Sequence, residues 1–183
     1  MDKNRRLIMV IVMAMVLLGK ANAQERSIGT SWSFTGPGLT YEQPMKGNSF
    51  LHLGAQLEMS EMLLGRTPLP GGSVNFTCND ILHSIASRNG NTISFFAGAG
   101  AAFGYSKDCS LKKGETTHHG FFFGLKGRAG FRIRYNRNIN ITVAVAPVLG
   151  MHLAMKDETV MMRYYRYGLL QTLMPEITIG YRF

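Results

Sequence analysis

From residue 119 to residue 135 the chain reads HGFFFGLKGRAGFRIRY. Phe121, Phe123, Leu125, Ala129, Phe131 and Ile133 stand at every second position, with Lys126, Arg128, Arg132 and Arg134 between them. Successive side chains of a β-strand point to opposite faces, so this order makes one face apolar and the other cationic. The stretch 93–105 repeats the pattern. Ile93, Phe95, Ala97, Ala99, Ala101, Phe103 and Tyr105 alternate with Ser94, Phe96, Gly98, Gly100, Ala102 and Gly104. A soluble sandwich burying the apolar face would present a glycine-rich sheet to water, where glycine weakens a strand. A bilayer makes the reverse demand. Apolar residues face out, and glycine inside leaves room for long charged chains.

A sheet in hydrocarbon must close on itself, because no backbone donor there finds water. The pattern therefore predicts a closed barrel, and the strand count sets its width. Past residue 24 period two dominates and turn residues punctuate it. Eight strands are expected, at 27–34, 38–45, 49–59, 73–87, 93–105, 119–135, 139–154 and 167–183. The fourth alternates poorly, and Asn79-Asp80 is the expected place of a bulge. Asn89-Gly90 gives a hairpin signal. Connections after strands two, four and six are short and those after three, five and seven are long, as in outer-membrane barrels. An even strand number puts both termini in the periplasm.

Eight strands enclose an interior just wide enough for side chains to fill, so a plugged barrel is expected. Strand parity sends Glu42, His52, Gln56, Glu58, Lys126, Arg128, Arg132, Arg134, His152, Glu176 and Arg182 inward. Unpaired buried charge is costly. Counted from the strand ends, Glu42 matches Arg132 in height, Glu176 matches Arg128, and Glu58 falls within reach of Lys126. The surplus cations call for water or an anion near a mouth. Trp32, Tyr105, Tyr135, Tyr164, Tyr165, Tyr167 and Tyr181 fall near strand ends, as interfacial aromatic girdles do.

The chain ends agree with this reading. Lys3, Arg5 and Arg6 precede twelve apolar residues from Leu7 to Leu18, and Ala21-Asn22-Ala23 follows. That is the order of a secretory signal peptide over residues 1–23, and the run is too short for a membrane helix. Residues 24–183 then form one domain. The whole chain carries 20 Lys and Arg against 11 Asp and Glu, and removing the leader leaves 16 against 10. The closing EITIGYRF alternates and stops on Phe183. Tyr181 and Phe183 resemble the terminal-strand signal that the barrel-insertion machinery reads.

Other chemistries fit less well. Lys126-Gly127-Arg128-Ala129-Gly130 lacks phosphate-loop spacing and a following helix. A nucleic-acid face would need exposed cations, and these point inward, so no direct nucleic-acid contact is expected. His118-His119, with His83 or Asp108 as a third ligand, has no metal spacing. Ser106, Asp108, Glu115 and His118 share one loop without the spacing of a catalytic set. No catalytic residue, metal or cofactor is expected. Cys78 and Cys109 are the two cysteines. The compartment is oxidising, so they are expected either to pair and pin the third outer loop or to remain free thiols. The Met- and Tyr-rich MKDETVMMRYYRYG reads equally as a protein-contact surface or as a strand extension.

Two resemblances follow from FLHLGAQLE, NTISFFAGAGAAFGY, HGFFFGLKGRAGFRIRYNRNINITV and PEITIGYRF. The chain resembles small eight-stranded outer-membrane proteins of the OmpA and OmpX kind. More narrowly, residues 49–183 resemble the TraO-type proteins of conjugative transposons in Bacteroides-like bacteria. The first resemblance implies an up-and-down, all-β, non-enzymatic barrel in contact with outer-membrane lipid. The second implies a structural or scaffold part in conjugative transfer, beside other envelope or conjugation proteins. A general surface barrel serving adhesion or envelope integrity is the alternative, and an outer-membrane lipid hydrolase or protease comes third.

Overall fold

The computed structural model describes residues 26–87, 90–109, 118–135, 138–156, 159–171 and 173–183. The expected signal peptide and Glu115 lie outside these residues. The described elements are β1 (Ser27–Trp32), β2 (Pro37–Pro44), β3 (Ser49–Glu58), α1 (Ser60–Leu63), β4 (Gly71–Ala86), β5 (Thr92–Lys107), β6 (His119–Tyr135), β7 (Ile139–Val145), β8 (Val148–Lys156), β9 (Thr159–Tyr164), α2 (Arg166–Leu170) and β10 (Glu176–Arg182).

All pairings are antiparallel. β1 to β6 pair in sequence, β7 and β8 both pair with β6, β9 pairs with β8, and β10 joins β7 to β1. β7 with β8 makes one stave and β9 with β10 another, so the fold is a closed eight-stranded barrel. The seventh stave is interrupted by Ala146-Pro147, because proline has no N–H to give the ladder. The ladder is held there by the Gly127 N–H, which donates to the Pro147 carbonyl at 2.9 Å.

The eighth stave departs from the expected single strand. After β9 the chain leaves the sheet, forms α2, and returns as β10. The fourth strand also differs. Its register shifts between Ile81 and His83, not at Asn79-Asp80, and Leu82 is the extra residue. The bulge explains the poor alternation, because it reverses parity for the rest of β4.

The barrel is inside-out relative to a soluble protein. Leu125 is 72 % exposed and Phe121 66 %, whereas Arg128 is 1 % and Lys126 3 %. Glycine serves the inner wall. A Cβ on Gly104 would strike the Phe122 ring, which fills the lumen there. At the β2–β3 turn, Gly47 takes φ of +79°, a conformation that side chains with a Cβ adopt only at a steric cost.

The wall is uneven in height. β1 has 6 residues, β2 has 8, β3 has 10, and β6 has 17. A tilted membrane strand needs about 9–11 residues, so the β1–β2 hairpin is short for the span. The space above it holds Phe34, α1 and α2. Tyr167 of α2 lies 6.0 Å from Phe34, centroid to centroid. Both described ends of the chain meet at the short-turn end, where Arg26 and Phe183 exchange backbone hydrogen bonds of 3.2 and 2.9 Å.

Candidate functional site

The lumen holds a chain of alternating charges. Lys126 Nζ lies 3.5 Å from Glu176 Oε2, and Arg128 Nη2 lies 3.1 Å from Glu176 Oε1. Arg128 Nη1 lies 3.6 Å from Glu42 Oε1, and Arg132 Nη2 lies 2.6 Å from Glu42 Oε2. His52 Nδ1 stands 3.3 Å from Glu42 Oε1, and Ser27 Oγ donates to Glu42 Oε2 at 3.4 Å. Three cations on one face of β6 thus meet carboxylates from β2 and β10. Gly130, also inward, keeps the backbone close to Ala144 between them. Two rings complete the lining, with Arg132 stacked over Phe50 at 3.5 Å and Arg128 over Phe96 at 5.2 Å.

Glu58 and Lys126 are not brought together as an ion pair. Glu58 accepts from Ser73 Oγ at 2.6 Å, while Lys126 turns to Glu176. The strands of a barrel tilt, so residues counted to one height on separate staves are offset around the wall. Arg134 is half-buried toward the short-turn end. Gln56 donates to Thr35 Oγ1 at 2.7 Å under the β1–β2 turn.

The loop end of the lumen is closed by the segment that leaves the eighth stave. Tyr165 is 1 % exposed and lies on Phe122, within a cluster that includes Ala102, Cys109, Val148 and Tyr167. The Tyr167 hydroxyl donates to Glu61 of α1, whose Oε1 also lies 3.1 Å from Arg66 Nη1. Asp108 receives backbone N–H groups from Cys109 at 2.9 Å and from Arg166 and Tyr167 at 3.1 Å. Burial pushes both tyrosine hydroxyls above their ordinary range, and hydrogen bonding to Glu61 adds to the shift of Tyr167. Tyr165 and Tyr167 therefore belong to this plug and not to an exposed girdle. Trp32, Tyr105, Tyr135, Tyr164 and Tyr181 are exposed. Glu61 and Asp108 sit in connections, where strand parity says nothing, so the sequence pattern did not single them out as plug residues.

Cys78 and Cys109 are free thiols, so of the two expected states the disulfide is the one that does not form. Cys78 is exposed in mid-β4, opposite Ala99, while Cys109 is buried beyond the end of β5. At about 3.3 Å per residue, that separates them by more than about 25 Å, against a limit of about 7 Å between Cα atoms in a disulfide. Burial, with Asp108 next, pushes the Cys109 thiol up to about 11.

Among the loop residues weighed for catalysis or metal binding, Asp108 and His119 have other partners. Asp108 holds the plug backbone. His152 Nε2 lies 2.9 Å from the Ser106 carbonyl, and His119 Nε2 lies 2.8 Å from Thr67 Oγ1. His83 stands opposite Phe95 in the lower half of β4, far from His118 at the loop end. Tyr181 and Phe183 face outward at the short-turn end, at 56 % and 64 % exposure.

Neither a protein-family model nor a curated protein matches the sequence. Among solved structures, the crystal structure of the N-terminal β-barrel domain of Pseudomonas aeruginosa OprF is similar. The match covers 87 % of this chain and 96 % of that one, with a TM-score of 0.50 and 10 % sequence identity. At that identity the likeness speaks for the fold alone, a small antiparallel barrel of the outer-membrane kind.

Proposed function

We propose that the protein is a non-enzymatic outer-membrane barrel acting as a structural or scaffold component of the envelope. The observation that carries this reading is the inverted polarity, with an apolar exterior around a lumen filled by paired charges and closed by a plug. Its outer surface contacts lipid, and its described ends face the periplasm. Tyr181 and Phe183 present the terminal strand to the insertion machinery. Fractionation should recover the protein in the outer membrane with heat-modifiable gel migration. Phe183→Ala should lower the assembled fraction. Recovery in a soluble fraction would sink the reading.

A finer assignment, to a conjugative transfer apparatus, rests on the TraO-type resemblance. It makes the barrel a fixed envelope part among transfer proteins, with no direct hold on DNA. Deleting the gene and measuring mating frequency tests it, and an unchanged frequency refutes it. A general adhesion role draws support from the β8–β9 hairpin, where Met155 and Tyr164 are 72 % and 76 % exposed. Deletion would then reduce surface attachment and leave mating unchanged.

A further inference from the structure

β9 ends the described sheet. It pairs with β8 and with no other described strand, although it belongs to a closed wall. The stagger of the ladder is the cause. One row of partners runs from Arg163 of β9 through Phe122 of β6 and round the wall to Ser31 of β1. From Ser31 the same row continues through Thr178 and returns to β6 at Arg132, ten residues nearer the short-turn end than Phe122. The place beside β9 therefore lies ten residues beyond Ser31 along the line of β1. β1 ends at Trp32, and the chain has turned back into β2 by Pro37. Among the described residues this leaves a notch in the wall above the short β1–β2 hairpin.

The backbone groups that face this notch follow from one hydrogen bond. The Tyr165 N–H donates to the Gly150 carbonyl at 2.9 Å. Antiparallel partners alternate between exchanging hydrogen bonds and turning them away. Arg163, Met161 and Thr159 therefore bond to β8, while Tyr164, Met162 and Val160 aim N–H and C=O at the notch. No described strand meets them. The same three residues are 76 %, 58 % and 61 % exposed. Met162 lies in line with Leu153 and Phe121, and Tyr164 with Met151 and Phe123, so β9 continues the apolar band of β6. Backbone groups left open within such a band find no water.

We propose that the β9 edge receives an extended strand of another protein, laid antiparallel in the place that β1 does not reach. An extended backbone offers donors and acceptors in the alternation that these three residues repeat. The incoming segment needs an apolar side chain at every second position, to carry the lipid face onward. A second copy upright in the same bilayer would bring its own β9 parallel to the first, whereas every described pairing is antiparallel. The proposal goes beyond the scaffold reading and does not depend on the conjugation reading.

The full chain without its leader, carrying Cys78→Ser and Cys109→Ser, is refolded in nonionic detergent. The probe is a short peptide alternating threonine and valine, with a central cysteine held as an activated disulfide. Cross-linking should be about tenfold faster at Val160→Cys than at Met155→Cys, which stands directly opposite on β8. N-methylation of the peptide amides that face β9, or Met162→Pro added to Val160→Cys, should abolish this preference. Proline at residue 162 removes an N–H that points away from β8, so the hairpin stays paired. Heat-modifiable migration checks the barrel of each variant, and the N-methylated peptide tests the edge without a further substitution. Equal rates at the two positions, or an N-methylated peptide that reacts as fast, overturn the proposal. So does a Val160→Cys chain that dimerises through that residue before peptide is added, which assigns the edge to a second copy.

Discussion

Tyr165 lies flat on Phe122, with ring centroids 4.0 Å apart and planes 6° from parallel. A residue of the eighth stave is thereby docked onto β6 across the lumen. The stack fits because Gly104 opposite carries no side chain. Tyr165→Ala should cost about 2–4 kcal/mol of plug stability, from the lost ring and the cavity it leaves. Gly104→Val should dislodge the same ring from the other side. Limited proteolysis around residues 165–175 reads both, with faster cleavage and an intact barrel expected.

Glu42 binds two arginines inside the barrel. Glu42→Gln takes the carboxylate that Arg132 pairs with and leaves Arg128 with Glu176 alone, and should destabilise by about 3–5 kcal/mol. Combining it with Arg132→Gln should cost less than the sum of the two single changes. Urea unfolding in micelles measures this. Arg128→Glu should be similarly damaging, and Glu176→Arg on the same chain should recover part of the loss. A tolerated Arg128→Glu with no effect of the swap would show that this pair does not support the barrel.

Alkaline pH should release the plug. The Tyr167 hydroxyl sits above its ordinary value of 10.0, because burial and the neighbouring Glu61 both disfavour the phenolate. Its folded value exceeds its unfolded value, so its stabilising contribution is complete below pH of about 10 and falls as pH rises toward the folded value. Cleavage within 165–175 should stay constant from neutral pH to about 9 and accelerate above about 10. Tyr167→Phe should remove part of this dependence.

The two cysteines should behave independently. Reductant should not change gel mobility. At neutral pH the Cys109 thiol, pushed from 9.0 to about 11, carries about a hundredfold less thiolate than an ordinary one. In a Cys78→Ser background it should alkylate slowly until the plug is opened. Fast labelling, or a mobility shift on reduction, would contradict this arrangement.

The barrel was legible in the sequence wherever parity held. β5, β6 and the stave of β7 and β8 show an uninterrupted alternation, and the inward cations of β6 could be read one by one. Pairing was less legible. Arg132 with Glu42 and Arg128 with Glu176 follow from strand height, but Lys126 goes to Glu176 because the tilt of the staves shifts heights. Parity failed at Leu82, where one extra residue reverses the faces. It also failed between Tyr164 and Glu176, where a five-residue helix is too short to show a period. Asp108 and Glu61 act on backbone and hydroxyl groups from connecting segments, which alternation cannot reveal.

The eighth stave also decides how the cylinder is fastened. At its closure β10 meets β1 over six residues, from Ser27 opposite Arg182 to Trp32 opposite Ile177, whereas β5 and β6 face each other over sixteen. A rolled sheet held by so unequal a set of joints has a natural zipper. During insertion the long central hairpin can form first, leaving the β1–β10 seam as the last joint made. Under pulling force or denaturant the six-residue joints of β1 and β10, the seam among them, are expected to part before the central hairpin, turning a tube back into an open sheet.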